Sequence, residues 1–376
     1  MASQMMLVEE KSDVRILTLN RPKQLNALTS PMISRLLELF LSYEEDPNVK
    51  LIILKGQGRA FCAGGDVIAC VNDIRRGCWR LAADFMYKEY ALDYVMATYG
   101  KPQVSIMDGI VMGGGAGISV HGRFRIATEN TVFAMPEAAL GHFADVGASY
   151  FLSRLPGFFG EYLGLAGARL DGAEMLASGL GTHFVPSMRS KELIEDLCGS
   201  GASDAASISK IIDTYTQQPH LKESSAYHRM DVIDKCFSKN TVEEIIFALE
   251  REIAHKTDDW VSKTISSMKK ASPTSLKITL RSIREGRALG IGQCLIREFR
   301  ITSHVFKGDI SKDLVEGCRA ILTDKDNSPK WKPSRLEDVR EAMVDQYFER
   351  LEDDGWQDIE FPTRPYNLHP PKISNL

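Results

Sequence analysis

The sequence predicts an α/β core followed by a helical C-terminal region, and three observations predict it. Short apolar blocks bounded by Gly, Pro or Asn recur at residues 14–19 (VRILTL), 51–54 (LIIL) and 104–107 (VSIM), as buried strands do. Stretches with helical spacing lie between them, at residues 31–44 and 81–97, and such alternation marks an α/β core. Beyond about residue 160 the pattern reads as helix after helix.

Each element has a local reason. VRILTL alternates poorly between apolar and polar residues and is mostly apolar, so a buried strand is expected. The segment PMISRLLELFLSYE (31–44) follows Thr29-Ser30 and places Pro31 at a first helical position, where its missing N–H is no loss. Thr241 and Glu244 have the spacing of a capping box opening VEEIIFALEREI. Residues 199–209 (GSGASDAASIS) read as a flexible loop between helices. Residues 354–376 contain several prolines and read as an irregular tail. The division expected is a core over residues 1–200, a helical region over 201–353 and the tail over 354–376.

Composition narrows the partners. A chain of 376 residues, 44% hydrophobic, can bury a large core. Its 46 Lys and Arg against 50 Asp and Glu give a formal charge of -4. That balance argues against a nucleic-acid partner, whose binding rests on excess cations, while leaving room for local basic patches. No apolar run approaches the ~20 residues of a membrane span, so no membrane partner is expected. The seven cysteines include no C-x-x-C pair and read as reduced thiols of an intracellular protein. Glu9 and Glu10 precede any basic cluster, unlike a secretory signal or mitochondrial presequence. The terminal Ser374-Asn375-Leu376 keeps two residues of the peroxisomal S-K-L address. A peroxisomal location is expected, with the cytosol as fallback.

Three pieces carry chemistry: Ala60-Phe61-Cys62-Ala63-Gly64-Gly65-Asp66 after LIIL, Met112-Gly113-Gly114-Gly115-Ala116-Gly117 after VSIM, and Met135-Pro136-Glu137 with Asp145 eight positions on. A strand running through glycines into a helix brings free backbone N–H groups close to a ligand. Two such units can hold the negative charge that forms on a carbonyl oxygen under attack. Glycine clusters alone are more often turns. The dinucleotide fingerprint, the phosphate loop, the G-x-S-x-G elbow and H-E-x-x-H are all absent; no metal site is expected.

The set Asn20-Arg21-Pro22, Leu25-Asn26-Ala27, AFCAGGD, MGGGAG and FAMPEAALG, in this order, resembles the crotonase (enoyl-CoA hydratase/isomerase) superfamily. The resemblance implies a crotonase-like spiral of ββα turns followed by C-terminal helices, and homo-oligomeric assembly. It also implies a bound acyl-CoA that is substrate, with no separate cofactor. By position in the motifs, the oxyanion donors are the N–H groups of Gly65 and Gly114. Hydratases of the superfamily carry two glutamates; here the first position is Gly117 and only Glu137 remains. The pairing of P-E with Asp145-Val146-Gly147 resembles instead the 3-hydroxyisobutyryl-CoA hydrolase branch, its plant members above all. So do Glu89-Tyr90, S-V-H-G at 119–122, S-P-T-S-L-K at 272–277, E-G-C-R-A at 316–320 and D-K-D-N-S-P-K-W at 324–331.

The function implied is hydrolysis of a short-chain 3-hydroxyacyl-CoA, 3-hydroxyisobutyryl-CoA in valine breakdown first among them. The alternatives are hydratase or isomerase chemistry, and a CoA-binding protein that has lost catalysis. Glu137 is the expected catalytic carboxylate, activating water or attacking the thioester itself. Asp145 is expected to orient the 3-hydroxyl or water, and Glu89 to line the acyl pocket. Substrate binding is thus assigned to Glu89, Gly114, Glu137 and Asp145. A lone His such as His183 is more often a satisfied structural residue than a ligand or base, and His121, in S-V-H-G, reads as packing. His142 and Ala144 depart from the family's L-F-P-D, and losing that proline is expected to loosen the backbone before Asp145. Lys23, Arg59 and Lys277 are candidates for the CoA phosphates.

Overall fold

A computed structural model of the protein describes residues 2–255 and 259–365. Its strands are β1 (Met6–Lys11), β2 (Val14–Leu19), β3 (Leu51–Gly56), β4 (Ala60–Cys62), β5 (Gln103–Met107), β6 (Ile110–Met112), β7 (Phe124–Ala127), β8 (Val132–Ala134), β9 (Leu170–Asp171) and β10 (His183–Phe184). One sheet has the order β1-β2-β3-β5-β7-β10 and the other β4-β6-β8-β9. Thus β3, β5 and β7 lie side by side in the first sheet. The strand that follows each of them lies in the second, and helices return the chain for the next turn. The result is the expected spiral. Its parallel register is fixed by pairs such as Ile53 with Val104 and Ile106 with Ile126.

The apolar blocks fail to alternate because both faces of the first sheet are covered. Leu17, Leu19, Ile52 and Leu54 face the main core. Val14, Ile16, Leu51 and Ile53 face a second cluster, closed by Leu193, Leu197, Ile208 and Ile212. Each such side chain contributes roughly 1.5–3 kcal/mol when fully buried.

Two expectations need correction. The span 199–209 is not one loop: helices Ser190–Gly199 and Ala205–Asp213 leave only 200–204 between them. Asp204 starts the second helix by accepting from the N–H groups of Ala206 and Ser207 at 2.9 and 3.0 Å, a capping role that the Gly/Ser/Ala composition concealed. Past residue 160 the chain is not purely helical either, since β9 and β10 each add a two-residue edge to a sheet. The Ser30–Glu45 and Trp79–Ala97 helices match expectation. So does the Thr241–Glu244 box, whose reciprocal bonds are both 3.2 Å.

The Trp79–Ala97 helix is the pivot of the molecule. It packs against the Ser30–Glu45, Val67–Arg75, Gly114–Val120 and Ile291–Lys307 helices. Residues 349–365, without regular structure, lie across its outer side: Ile359 is buried, Trp356 stacks on Phe299, and Phe361 stacks on Tyr94. The terminal Ser374-Asn375-Leu376 lies outside the described residues. Among those residues no helix is long and apolar enough to cross a membrane.

Candidate active site

The first glycine turn is held by the N-terminal motif. Buried Asn26 donates to the carbonyls of Gln57 and Ala60 at 3.0 and 2.7 Å and accepts from the Arg21 amide. The segment Leu25–Leu28 then pairs with the turn itself: Ala63 N–H donates to Leu25, Leu28 N–H to Gly64, and Asp66 N–H to Leu28. Gly65 is left between these bonds, and among the described residues its N–H donates to none of them. Gly114 opens the Gly114–Val120 helix directly after β6, and its N–H is likewise without a backbone acceptor, as a first helical turn requires.

These turns meet. A Cβ built on Gly114 would come within 3.3 Å of the Gly65 nitrogen and overlap the Glu89 carboxyl. A Cβ on Gly65 would lie 3.6 Å from the other Glu89 oxygen, and one on Gly113 only 3.0 Å from Glu137 Oε1. Gly65, Gly114, Glu89 and Glu137 therefore share one small space, which needs glycine at 114 to exist. Glu137 begins a short 3₁₀ turn after β8, and its Oε2 is buried without a hydrogen-bond partner.

Asp145 closes the far side. Its Oδ2 accepts from Tyr90 Oη at 2.6 Å and lies 3.3 Å from His142 Nε2; Tyr90 Oη is also 2.9 Å from Thr302 Oγ1. The following Val146 has φ of 54°, a strained conformation for a β-branched residue. Two groups hold it. His121 Nε2 sits 2.9 Å from the Val146 carbonyl. Glu298 accepts from Gly147 N–H at 2.6 Å, Ser149 N–H at 2.9 Å and Ser149 Oγ at 2.5 Å. The loosening expected before Asp145 finds no counterpart in the packing. Phe143 and Ala144 are fully buried, and His142 N–H donates to the Glu137 carbonyl, so burial supplies the restraint that proline would have.

The electrostatics are one-sided. Glu89, Asp93, Glu137, Asp145 and Glu298 are 1%, 0%, 7%, 4% and 0% exposed, and among the described residues none pairs with Lys or Arg. Burial, then the Asp145 charge, pushes Glu89 up to about 8 and raises Glu137 well above the carboxylate range. Burial also lifts Glu298 to about 8 despite its hydrogen bonds. It lowers the His121 imidazole to about 4, so this ring is neutral and acts as a fastener. Asp93 and Glu298 were not among the expected site residues. The signal for Asp93 was present: it lies four residues beyond Glu89, on the buried stripe of the same helix. Glu298 gave no local signal, because only tertiary packing brings it to Gly147. The cationic candidates do not converge here. Lys277 is engaged with Glu243 at 2.7 Å and the Val339 carbonyl at 2.9 Å, tying helices together. Lys23 and Arg59 are exposed.

Comparison with known proteins agrees with this geometry. The family described as enoyl-CoA hydratase/isomerase matches residues 14–348. The chain is 70% identical over 365 residues to 3-hydroxyisobutyryl-CoA hydrolase 1 of Arabidopsis thaliana, covering 97% of this chain and 96% of that protein. It is 68% identical over 376 residues to probable 3-hydroxyisobutyryl-CoA hydrolase 3 of the same plant, covering 100% and 99%. Among solved structures, a carnitinyl-CoA dehydratase from Mycobacterium thermoresistibile superposes with a TM-score of 0.85 at 36% identity, covering 93% of this chain and 97% of that one. The chain belongs to the enoyl-CoA hydratase/isomerase family.

Proposed function

We propose that the protein hydrolyses short-chain 3-hydroxyacyl-CoA thioesters, 3-hydroxyisobutyryl-CoA foremost, to the hydroxy acid and CoA. One observation carries the reading: a buried Glu137 carboxyl, its Oε2 without a hydrogen-bond partner, lies against two glycine turns where the Gly65 and Gly114 N–H groups have no backbone acceptor. With the thioester carbonyl oxygen on the amides of Gly65 and Gly114, Glu137 takes a proton from water as the water oxygen bonds to the carbonyl carbon. The oxyanion collapses, the C–S bond breaks, and the thiolate receives the proton that Glu137 took. Asp145, anchored by Tyr90, orients the 3-hydroxyl, and Glu89 walls the acyl pocket. The similarity to plant 3-hydroxyisobutyryl-CoA hydrolases supports this substrate. Hydration fits less well, because a side chain at Gly117 would run into Asp93 and Val146.

The test is thiol release from acyl-CoAs with and without a 3-hydroxyl or 2-methyl group. Glu137→Gln should lower kcat by ~10²–10⁴-fold with the fold intact. In the wild type, kcat/KM should climb with pH on an acid limb lying above the ordinary carboxylate range, because the ionised form of the raised Glu137 is the base. Undiminished turnover by Glu137→Gln removes that residue from the mechanism. CoA binding without turnover of any thioester returns the lapsed-binder alternative.

A further inference from the structure

His142 touches both acid-bearing residues of the loop between Glu137 and Asp145. Its backbone N–H donates to the Glu137 carbonyl at 3.1 Å, and its Nε2 lies 3.3 Å from Asp145 Oδ2. Gly141, in a left-handed conformation with φ of 77°, turns the chain just before it. The imidazole centroid is 4.7 Å from that of Phe143 and 6.0 Å from that of Phe306 on the Ile291–Lys307 helix. These two rings and the backbone bond set the plane and reach of the side chain. The ring is buried, and its Nδ1 has no hydrogen-bond partner.

The donors around Asp145 can be assigned. A carboxylate only accepts, so the ring proton that faces it belongs on Nε2; the other neutral tautomer would set a lone pair against the Asp145 oxygen. Nε2 donates in that tautomer and in the imidazolium alike, so the contact does not depend on the charge of the ring. Tyr90 Oη gives its single proton to the same Oδ2 at 2.6 Å, which makes Thr302 the donor in its 2.9 Å contact with Tyr90. Asp145 Oδ2 therefore takes two donors, one from the Trp79–Ala97 helix and one from its own loop. Among the described residues no Lys or Arg reaches Asp145, and its Oδ1 accepts from none of them. Unlike Glu137 Oε2, that oxygen is not sealed from solvent. One oxygen is pinned and the other is free.

We propose that His142 is a positioning residue that sets acyl selectivity: together with Tyr90 it pins Oδ2 of Asp145 and so presents Oδ1 to the 3-hydroxyl of the acyl group. The role rests on the hydrolytic reading above, in which Asp145 orients that hydroxyl. His142 touches no reacting atom and acts through Asp145. With donors from two directions the carboxylate cannot swing without breaking a bond; with Tyr90 alone it can pivot about that single contact. An acceptor fixed in direction favours a substrate that carries the hydroxyl over one that lacks it. A histidine that merely filled space would serve both substrates equally.

The test compares thiol release from 3-hydroxyisobutyryl-CoA and from isobutyryl-CoA, which differ only in the 3-hydroxyl. His142→Leu keeps an apolar body of similar size and removes the donor, whereas His142→Gln keeps an N–H donor. In His142→Leu the ratio of kcat/KM for the two thioesters should fall about tenfold, the lower end for one hydrogen bond to a charged group. His142→Gln should hold that ratio within about threefold of the wild type, because a donor remains. Thermal unfolding checks that each variant folds. Nitrogen-15 NMR reads the ring without turnover: the histidine signals of the wild type that His142→Gln lacks should show a protonated Nε2. A Leu variant that slows both thioesters equally, a Gln variant as unselective as the Leu variant, or a ring protonated on Nδ1 alone would each overturn the proposal. A wild type that releases no thiol from either thioester ends the hydrolytic reading and this role with it. A wild type that prefers the 3-hydroxy thioester, beside a Leu variant with the same preference, ends only the role of His142, so the two failures are distinguishable.

Discussion

The Trp79–Ala97 and Ile291–Lys307 helices carry acids on their inner side and face acids on their outer side, and the two populations behave differently. Inside, Glu89, Asp93 and Glu298 are buried without a cation. Outside, two acids of the strap at residues 349–365, Asp353 and Asp358, meet cations from the same two helices. Asp353 meets Arg80 and, at 3.3 Å, Lys307; Asp358 lies 2.7 Å from Arg300. Surface pairs of this kind are each worth little and are replaceable. Buried acids without cations are costly to keep ionised, and burial raises all three inner acids above the carboxylate range.

The largest effect expected from breaking this contrast is the loss of turnover in Glu137→Gln described above. Glu298→Gln comes next. Its amide has to present a second donor to the N–H groups of Gly147 or Ser149, leaving one of them unpaired. A loss of ~1–3 kcal/mol is expected, together with reduced kcat because Asp145 precedes the loosened turn. Burial raises Glu298 and Glu89 from 4.5 to about 8, so the folded protein binds these protons more tightly than the unfolded chain. The stability they contribute is full below about 4.5 and is lost as pH rises through about 8. The wild-type thermal midpoint should therefore fall across that window, and Glu298→Gln should flatten the slope. An equally steep fall in the variant would detach Glu298 from it.

What was legible in the sequence follows the same divide. Local chemistry was readable. VRILTL, LIIL and VSIM declared themselves as strands, and the glycine runs after the last two fell where their amides meet. Glu137, Asp145 and Glu89 were placed by motif resemblance; Glu89 and Glu137 lie against the glycine turns, and Asp145 is tied to Tyr90, next to Glu89 on the same helix. Contacts between distant elements were not readable. Glu298 reaches Gly147 across about 150 residues, and nothing around it announces a turn to be held. Asp93 was readable in principle from its helical spacing but passed as an ordinary charged residue. Asp204 was hidden by its neighbours: a segment of Gly, Ser and Ala resembles a loop until one asks which residue could cap a helix.

The strap tests the other half of the comparison. Trp356 lies between Trp79, with ring centroids 4.8 Å apart, and Phe299, at 5.5 Å. It thereby clamps the start of one acid-bearing helix to the middle of the other. Trp356→Ala should lower stability by ~1–3 kcal/mol, from lost apolar burial and ring contacts. Its effect on kcat should be smaller than that of Glu298→Gln, because no strap residue touches an inner acid. A kcat loss rivalling that of Glu298→Gln, with stability restored by lower temperature, would mean that the strap does more than brace.

The smallest effect is expected at Asp353. Both of its cations, Arg80 and Lys307, lie at the surface beside water, and their attraction pulls Asp353 below the ordinary carboxylate range. Asp353→Asn keeps the shape and removes only the charge. It should leave kcat unchanged and lower the thermal midpoint slightly at low salt, with the difference fading as ionic strength rises. The contrast with Asp93→Asn is informative, since the same chemical change is made on opposite sides of one helix. At position 353 it removes a charge that is present, and the effect is screened by salt. At position 93 the carboxyl is fully buried and raised well above the carboxylate range, by burial first and then by Glu89, Asp145 and Glu298, so the effect of the change should depend little on salt. A salt-dependent response at position 93, or a salt-independent one at 353, would reverse the assignment of which acids are braces and which hold protons.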